Sequence, residues 1–131
     1  MRQPPNCLKI NMPGQITDFL KGKTEYTLGL FRFFMSQLNT LGMVNVNETK
    51  MMIVVTSTVK FAYVTQLGKN FIHVVFPFKQ LYPDNLCFKK MAQVPGSNQF
   101  NHHFRMLYKE DINEEILKFM QMAHNNEQPA I

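Results

Sequence analysis

The fold is decided by residues 60–78, KFAYVTQLGKNFIHVVFPF, which have the pattern of two strands joined by a tight turn. β-Branched and aromatic side chains fill both halves, and such side chains are enriched in strands. The segment between them, residues 67–70 (LGKN), has the composition of a hairpin turn. Gly68 is expected to supply the positive φ that such turns use. The sequence therefore predicts an antiparallel hairpin at the centre of the chain.

Alternation along the second strand sorts its side chains between two faces. One face is wholly apolar and consists of Ile72, Val74, Phe76 and Phe78. The other face is mixed and consists of Phe71, His73, Val75 and Pro77. Pro77 has no N–H to donate, so the strand is expected to end there or to lie at an edge of the sheet.

Helices are predicted on either side of the strands. From Glu25 to Leu41 apolar residues recur at spacings of three and four, with Thr24 as the predicted cap. The last helix is predicted from Asp111, whose spacing from Glu114 is that of a capping box. Further strands are predicted at 44–47, 50–57, 87–93 and 99–108. The fold class is α+β: a two-layer sandwich of a mostly antiparallel sheet, of five or six strands, with the N- and C-terminal helices on one face.

The length of 131 residues and the 45% hydrophobic content fit one domain with a packed core. We expect a flexible N-terminal tail at 1–15, a single domain at 16–125 and a C-terminal tail at 126–131. Met12 is an alternative start to Met1, because the organised sequence begins just after it. No stretch has the length and apolar character of a membrane span or a secretory signal, so a cytoplasmic location is expected, without membrane association.

The formal net charge is +5, and its distribution along the chain is uneven. Residues 49–109 contain eight lysines and arginines but only one acid, Asp84. Four acids then cluster at 110–115. The predicted sheet is thus the positive part of the molecule, and positive surfaces attract phosphates and acidic partners. A solvated basic face without a ligand is the alternative.

The candidate binding residues lie on the last two long strands. His102 and His103 are adjacent in a strand, so they should point to opposite faces, one into the core and one to the surface. His103 shares its face with Arg105. If the two strands are neighbours, His73 joins them in one patch that could bind phosphate or carboxylate. Phe71 and Val75 would supply apolar contacts to a partner or to a second copy of the chain.

A nucleic-acid interface is a second possibility. Exposed aromatic side chains would stack on bases, and the candidates are Tyr63, Phe61 and Phe88. Lysines would contact the phosphates, and the candidates are Lys60, Lys89 and Lys90. No recognised RNA-binding signature is present, however, and aromatic residues in strands usually belong to the core.

Catalytic, metal and cofactor sites have no clear support in the sequence. No serine lies in a GxSxG turn, and no glycine-rich phosphate loop is present. The two cysteines, Cys7 and Cys87, are eighty positions apart, which indicates free thiols rather than a disulfide framework or a metal site. A nucleophilic Cys87 beside a histidine stays open as an alternative.

Four stretches carry a family resemblance: 17–23 (TDFLKGK), 59–64 (VKFAYV), 102–107 (HHFRML) and 110–117 (EDINEEIL). On these the chain, from about residue 16 to 125, resembles a small bacterial family known only as a domain of unknown function. Its members occur alone or appended to predicted transport and nuclease-like proteins, and the resemblance implies no established activity. Lys109 departs from the family pattern, which has a Ser or Thr helix cap there.

The order helix, sheet, helix also resembles frataxin more distantly. Frataxin-like proteins bind iron through acids on the first helix and the neighbouring edge strand. Here the corresponding acids are only Glu25 and Glu48. Hard cations need clustered oxygen ligands, so iron binding has little support.

The sequence therefore favours a non-catalytic binding module that uses the basic sheet face. An accessory nucleic-acid-binding domain is the first alternative. A small enzyme or metal carrier is the second.

Overall fold

The computed structural model describes residues 17–127. The whole predicted N-terminal tail (1–15), with Cys7 and Met12, and residues 128–131 of the predicted C-terminal tail lie outside the described residues. The helices are α1 (Thr17–Leu20), α2 (Glu25–Thr40) and α3 (Glu114–His124), and a 3-10 turn spans Lys109–Asp111. The strands are β1 (Asn45–Glu48), β2 (Ile53–Thr56), β3 (Lys60–Leu67), β4 (Ile72–Phe78), β5 (Lys90–Gln93) and β6 (Phe100–Met106).

The six strands form one antiparallel sheet in the order β1-β2-β3-β4-β6-β5. Both long helices pack on the same face of it. The Phe34 ring of α2 contacts Phe76 of β4, and the Phe119 ring of α3 contacts Phe78 of the same strand face. The buried side chains of both helices and the sheet form one core cluster. The predicted two-layer α+β class is thus confirmed.

Gly68 is needed in the central hairpin for a different reason from the predicted one. It is not among the glycines with positive φ, which are Gly22, Gly42 and Gly96. Instead, a Cβ built on Gly68 would lie 2.1 Å from a ring carbon of Phe71. The prediction of a positive φ was wrong. Glycine is required because the aromatic ring occupies the space where a side chain would start.

Pro77 does not lie on an edge strand, because β4 pairs with β3 on one side and β6 on the other. The ladder to β3 nevertheless stops at the pair Tyr63–Val75, whereas the ladder to β6 continues to Phe78–Phe100. Pro77 therefore lies where β4 pairs with β6 but no longer with β3. A residue without an N–H is tolerated at such a position.

The cap of α3 also differs from the prediction. Asn113 caps the helix, because its side-chain oxygen accepts a bond from the Ile116 N–H at 3.1 Å. Asp111 belongs to the preceding 3-10 turn, and its carboxylate accepts bonds from the N–H groups of Leu107 and Tyr108. The capping box from Asp111 to Glu114 was thus wrong, although the predicted Thr24 cap of α2 is confirmed.

Candidate functional site

The predicted binding residues His73, His103 and Arg105 lie together on the sheet face opposite the helices. In the register of β4 and β6, His73 stands opposite Arg105, and Val75 stands opposite His103. Side chains of opposite residues in an antiparallel pair project to the same face. The His73 Nε2 and His103 Nδ1 atoms are 2.9 Å apart, within hydrogen-bond distance. One of these nitrogens must carry the proton and the other must accept it.

Phe71, the residue that precedes β4, extends this cluster. The guanidinium carbon of Arg105 lies 4.4 Å from the centroid of the Phe71 ring. A cation over an aromatic face is attracted by the negative charge of the ring face. The ring itself lies against Gly68. We call Phe71, His73, His103 and Arg105 the histidine patch.

Both histidines of the patch are held in the neutral form. Burial, followed by the neighbouring charges of His103 and Arg105, lowers the pKa of His73 from 6.5 to about 4. Burial, followed by the positive charge of Lys90, lowers the pKa of His103 as well. At neutral pH the patch therefore combines two neutral imidazoles with the permanent charge of Arg105.

Two of the three predicted lysines lie near the histidine patch. Lys90 of β5 pairs with His103, which places both side chains on the same face. The Lys89 and Lys90 charges both act on the pKa of His73. Lys60 lies elsewhere, at the far end of β3, where it lines a separate cleft. The structure thus gathers the basic residues of β5 and β6 but not Lys60.

Val75 and the predicted stacking aromatics are less accessible than the sequence suggested. Val75 is only 6% exposed, so it forms the floor of this face between Tyr63 and His103. Phe61 and Phe88 belong to the core, with exposed fractions of 1% and 8%. Of the three aromatic residues considered for base stacking, Tyr63 alone is partly exposed.

His102 is the core histidine of the adjacent pair. Its Nε2 accepts a bond from the Tyr82 N–H at 3.1 Å, so its Nδ1 carries the proton and donates to the Phe100 carbonyl at 3.0 Å. Burial lowers the pKa of His102. Its ring packs edge-on against Phe78 and Phe88. His102 is thus a fully bonded structural residue.

The residues considered for chemistry have other roles. Burial, and then the Glu115 carboxylate, raise the pKa of the Cys87 thiol to about 12. The Glu48 carboxylate accepts a bond from the Phe19 N–H in α1, and Glu25 lies in the first turn of α2. Between residues 17 and 127, no three His, Cys, Asp or Glu side chains are grouped so that they could hold a metal ion.

A second feature was missed by the sequence interpretation. A cleft of about 310 Å³ opens beside the unpaired end of β4. Two lysines contribute to its lining, Lys60 and Lys79, together with amide-bearing residues such as Asn98 and Asn126. Pro77 could have indicated this cleft, if it had been interpreted as a break in the ladder on one side of the strand rather than as the end of the strand.

The fold and the patch define a small antiparallel α+β domain with helices on one face of the sheet and basic residues on the other. The chain belongs to the family described as "Domain of unknown function (DUF5655)", which matches residues 16–127. The predicted membership in a family of unknown function is therefore confirmed. No curated protein and no solved structure matches the chain. Within the described part of the chain, no helix has the length and apolar character to cross a membrane.

Proposed function

We propose that this domain is a non-catalytic binding module whose basic sheet face recognises an acidic segment of a partner protein. The observation that carries the proposal is the convergence of His73, His103 and Arg105 on one face, with Arg105 exposed over Phe71. Arginine offers paired donors that fit a carboxylate, and the neutral imidazoles add directional donors and acceptors.

The charge of this face favours an acidic partner over a second copy of the chain. Arg105 and Lys90 are exposed, and Lys89 adds a further charge within reach of His73. Two such faces brought together would place like charges opposite each other, which costs free energy. An acidic segment would be attracted to the same charges.

A protein partner is favoured over nucleic acid because two of the three aromatic residues considered for stacking are buried. Phe61 and Phe88 pack in the core, so of the three aromatic residues considered for stacking Tyr63 alone could meet a base. The lysines considered for phosphate contacts are also divided between two places, with Lys60 apart from Lys89 and Lys90. Nucleic-acid-binding surfaces of this kind combine a continuous basic track with exposed rings.

Binding is favoured over catalysis because Cys87, the one cysteine in the described part of the chain, is not an activated nucleophile. The raised pKa of Cys87 keeps its thiol protonated at neutral pH, and the thiolate is the reactive form. Cys87 is a free cysteine. Free thiols persist in reducing compartments. We therefore also propose that the domain works in the cytoplasm.

The proposal is tested by fluorescence anisotropy with two labelled probes of equal charge. One is a peptide of about ten residues rich in glutamate and aspartate, and the other is a thymidine oligonucleotide. The peptide should bind more tightly. Arg105→Gln should weaken peptide binding by about tenfold or more, because a charged hydrogen-bonding group is lost.

Lys50→Gln is the matched control, since it removes one exposed positive charge from the turn before β2, away from the patch. It should change the affinity by less than about twofold. Tighter binding of the oligonucleotide would favour the nucleic-acid alternative. Equal losses in the Arg105 and Lys50 variants, or no peptide binding at low salt, would reject the proposed interface.

A further inference from the structure

The geometry points to a second binding site, independent of the histidine patch, in the cleft where β3 and β4 separate. We infer that it takes a small organic acid, a carboxylate or phosphate attached to an apolar or aromatic group. The cleft is lined by Lys60 and Lys79 on its basic side and by Pro77 and Phe78 of β4. Its volume of about 310 Å³ suits a small metabolite rather than a polypeptide.

The cleft exists because Pro77 cannot continue the ladder to β3. The Gly68 N–H donates to the Phe71 carbonyl across the hairpin, so the backbone of Phe71 faces β3. Backbone polar groups alternate in direction along a strand, and the β4–β6 register runs without a shift. The nitrogen of Pro77 therefore also faces β3, where a donor is missing. The opening follows from the sequence and is not a packing defect.

The charge of the cleft is positive, and Glu127, the one acid among its described lining residues, is already engaged. The two Glu127 oxygens accept bonds from the Lys79 backbone N–H and the Tyr82 hydroxyl, each at 2.7 Å. The side chains of Lys60 and Lys79 are exposed. Two ammonium groups against one bonded carboxylate leave an excess positive charge that favours an anion.

One wall of the cleft is formed by the turn that ends α3. Asn126 and Glu127 have φ values of 55° and 60°, in the left-handed region. Their N–H groups donate to the carbonyls of Ala123 and Met122, which closes the turn after α3. These two bonds and the positive φ of Asn126 form a Schellman termination of α3, which fixes the position of this wall. Glu127 lies in the segment that the sequence predicted to be a tail.

The inference is tested by titrating the isotope-labelled full chain with phenyl phosphate and with benzoate, following amide chemical shifts by NMR. Benzyl alcohol, which has the ring without the charge, is the control probe. Saturable shifts should appear at the amides of Lys60, Lys79 and Asn126. Tighter binding of phenyl phosphate would assign the ligand as a phosphate, and tighter binding of benzoate as a carboxylate.

The double variant K60Q/K79Q should weaken binding of the preferred acid by on the order of tenfold, because two charged partners are lost. Lys50→Gln, on the exposed turn before β2, should leave the affinity for this acid unchanged. Both sites are basic, so Arg105→Gln separates them: it should not affect binding in the cleft. Shifts confined to the histidine patch, equal binding of benzyl alcohol, or no saturable shift would overturn the inference.

Discussion

At the scale of single residues, the histidine patch is distinguished by the bond between His73 and His103. A bond between two imidazole nitrogens requires one donor and one acceptor, so it fails when both rings are protonated. The positive charge of Arg105 disfavours protonation of its neighbour His73. The bond between the two rings is therefore expected to be lost once both histidines are protonated.

This arrangement predicts that acid destabilises the fold. The folded-state pKa of His73 is about 4, below its ordinary value of 6.5, so the unfolded chain binds more protons between these values. Stability should fall as the pH drops from about 6.5 towards 4, and the contribution of His73 should level off below that.

In the variant His73→Gln, the loss of unfolding free energy on acidification should be smaller by about 1–2 kcal/mol. This is less than the full shift in the pKa of His73 implies, because water screens the half-buried ring. Urea unfolding of the wild type and the variant at about pH 8 and about pH 4.5 measures this difference. The difference in unfolding free energy at about pH 8 gives the effect of the lost packing, which is subtracted. An unchanged pH dependence in the variant would show that His73 is not held neutral by the fold.

Gly68 offers a second prediction at this scale. Gly68→Ala should destabilise the protein by about 1–3 kcal/mol, because the new methyl group must displace the Phe71 ring. Gly29→Ala is the control, since nothing lies within 4 Å of the added Cβ and the residue is inside α2. That variant should gain up to about 1 kcal/mol. Thermal unfolding that ranks the two variants in the opposite order would contradict this account of the turn.

At the scale of elements, alternation within each strand could be predicted from sequence, but the order of the strands could not. The alternation of side chains along β4 correctly predicted that Ile72 and Val74 face the core and that His73 faces the opposite side of the sheet. Nothing local indicated that β6 lies between β4 and β5, since the two hydrogen-bonded neighbours of a strand depend on the whole sheet. His73 lies opposite Arg105 because β4 and β6 are neighbours in the sheet. From the sequence alone, this proximity was therefore only a hypothesis.

Helix ends were predictable only where one capping residue stood alone. Thr24 has no nearby rival, whereas Asp111 and Asn113 are both good caps two residues apart. The structure uses both, Asp111 for the 3-10 turn and Asn113 for α3. Spacing alone could not divide these roles, because a short 3-10 turn leaves no separate periodic signal.

Asn113→Ala should therefore destabilise the protein by about 1 kcal/mol, since the Ile116 N–H loses its partner. Asn47→Ala, at an exposed position on β1, serves as the matched control and should change stability by less than about 0.5 kcal/mol. Chemical denaturation of both variants measures the difference. Equal stabilities would mean that α3 does not depend on this cap.

Pro77 gives a further prediction for the sheet. Pro77→Val restores an N–H on the side that faces β3, where the ladder now stops at Val75. The β3–β4 pairing should extend, and the amide of residue 77 should be protected from hydrogen exchange. An amide that exchanges as fast as one in an open loop would show that the proline does not cause the opening.

At the scale of the whole molecule, the two sides of the sheet have separate roles. One side is buried under α2 and α3 in a core dominated by phenylalanine, and it accounts for the stability of the fold. The other side carries the histidine patch beside Lys89 and Lys90. The proposed binding is therefore electrostatic in part, and raising the salt concentration from about 50 to 200 mM should weaken peptide affinity. Anisotropy titrations at the two concentrations check this, and a salt-independent affinity would contradict it.

The most direct measurement is a map of the surface that the acidic peptide covers, obtained from amide chemical shifts of the labelled protein. We predict that the shifts concentrate on β4 and β6 around His73, His103 and Arg105, and that Arg105→Gln reduces them. Shifts that concentrate on the exposed faces of α2 and α3 instead would contradict the central claim that the basic sheet face is the binding surface.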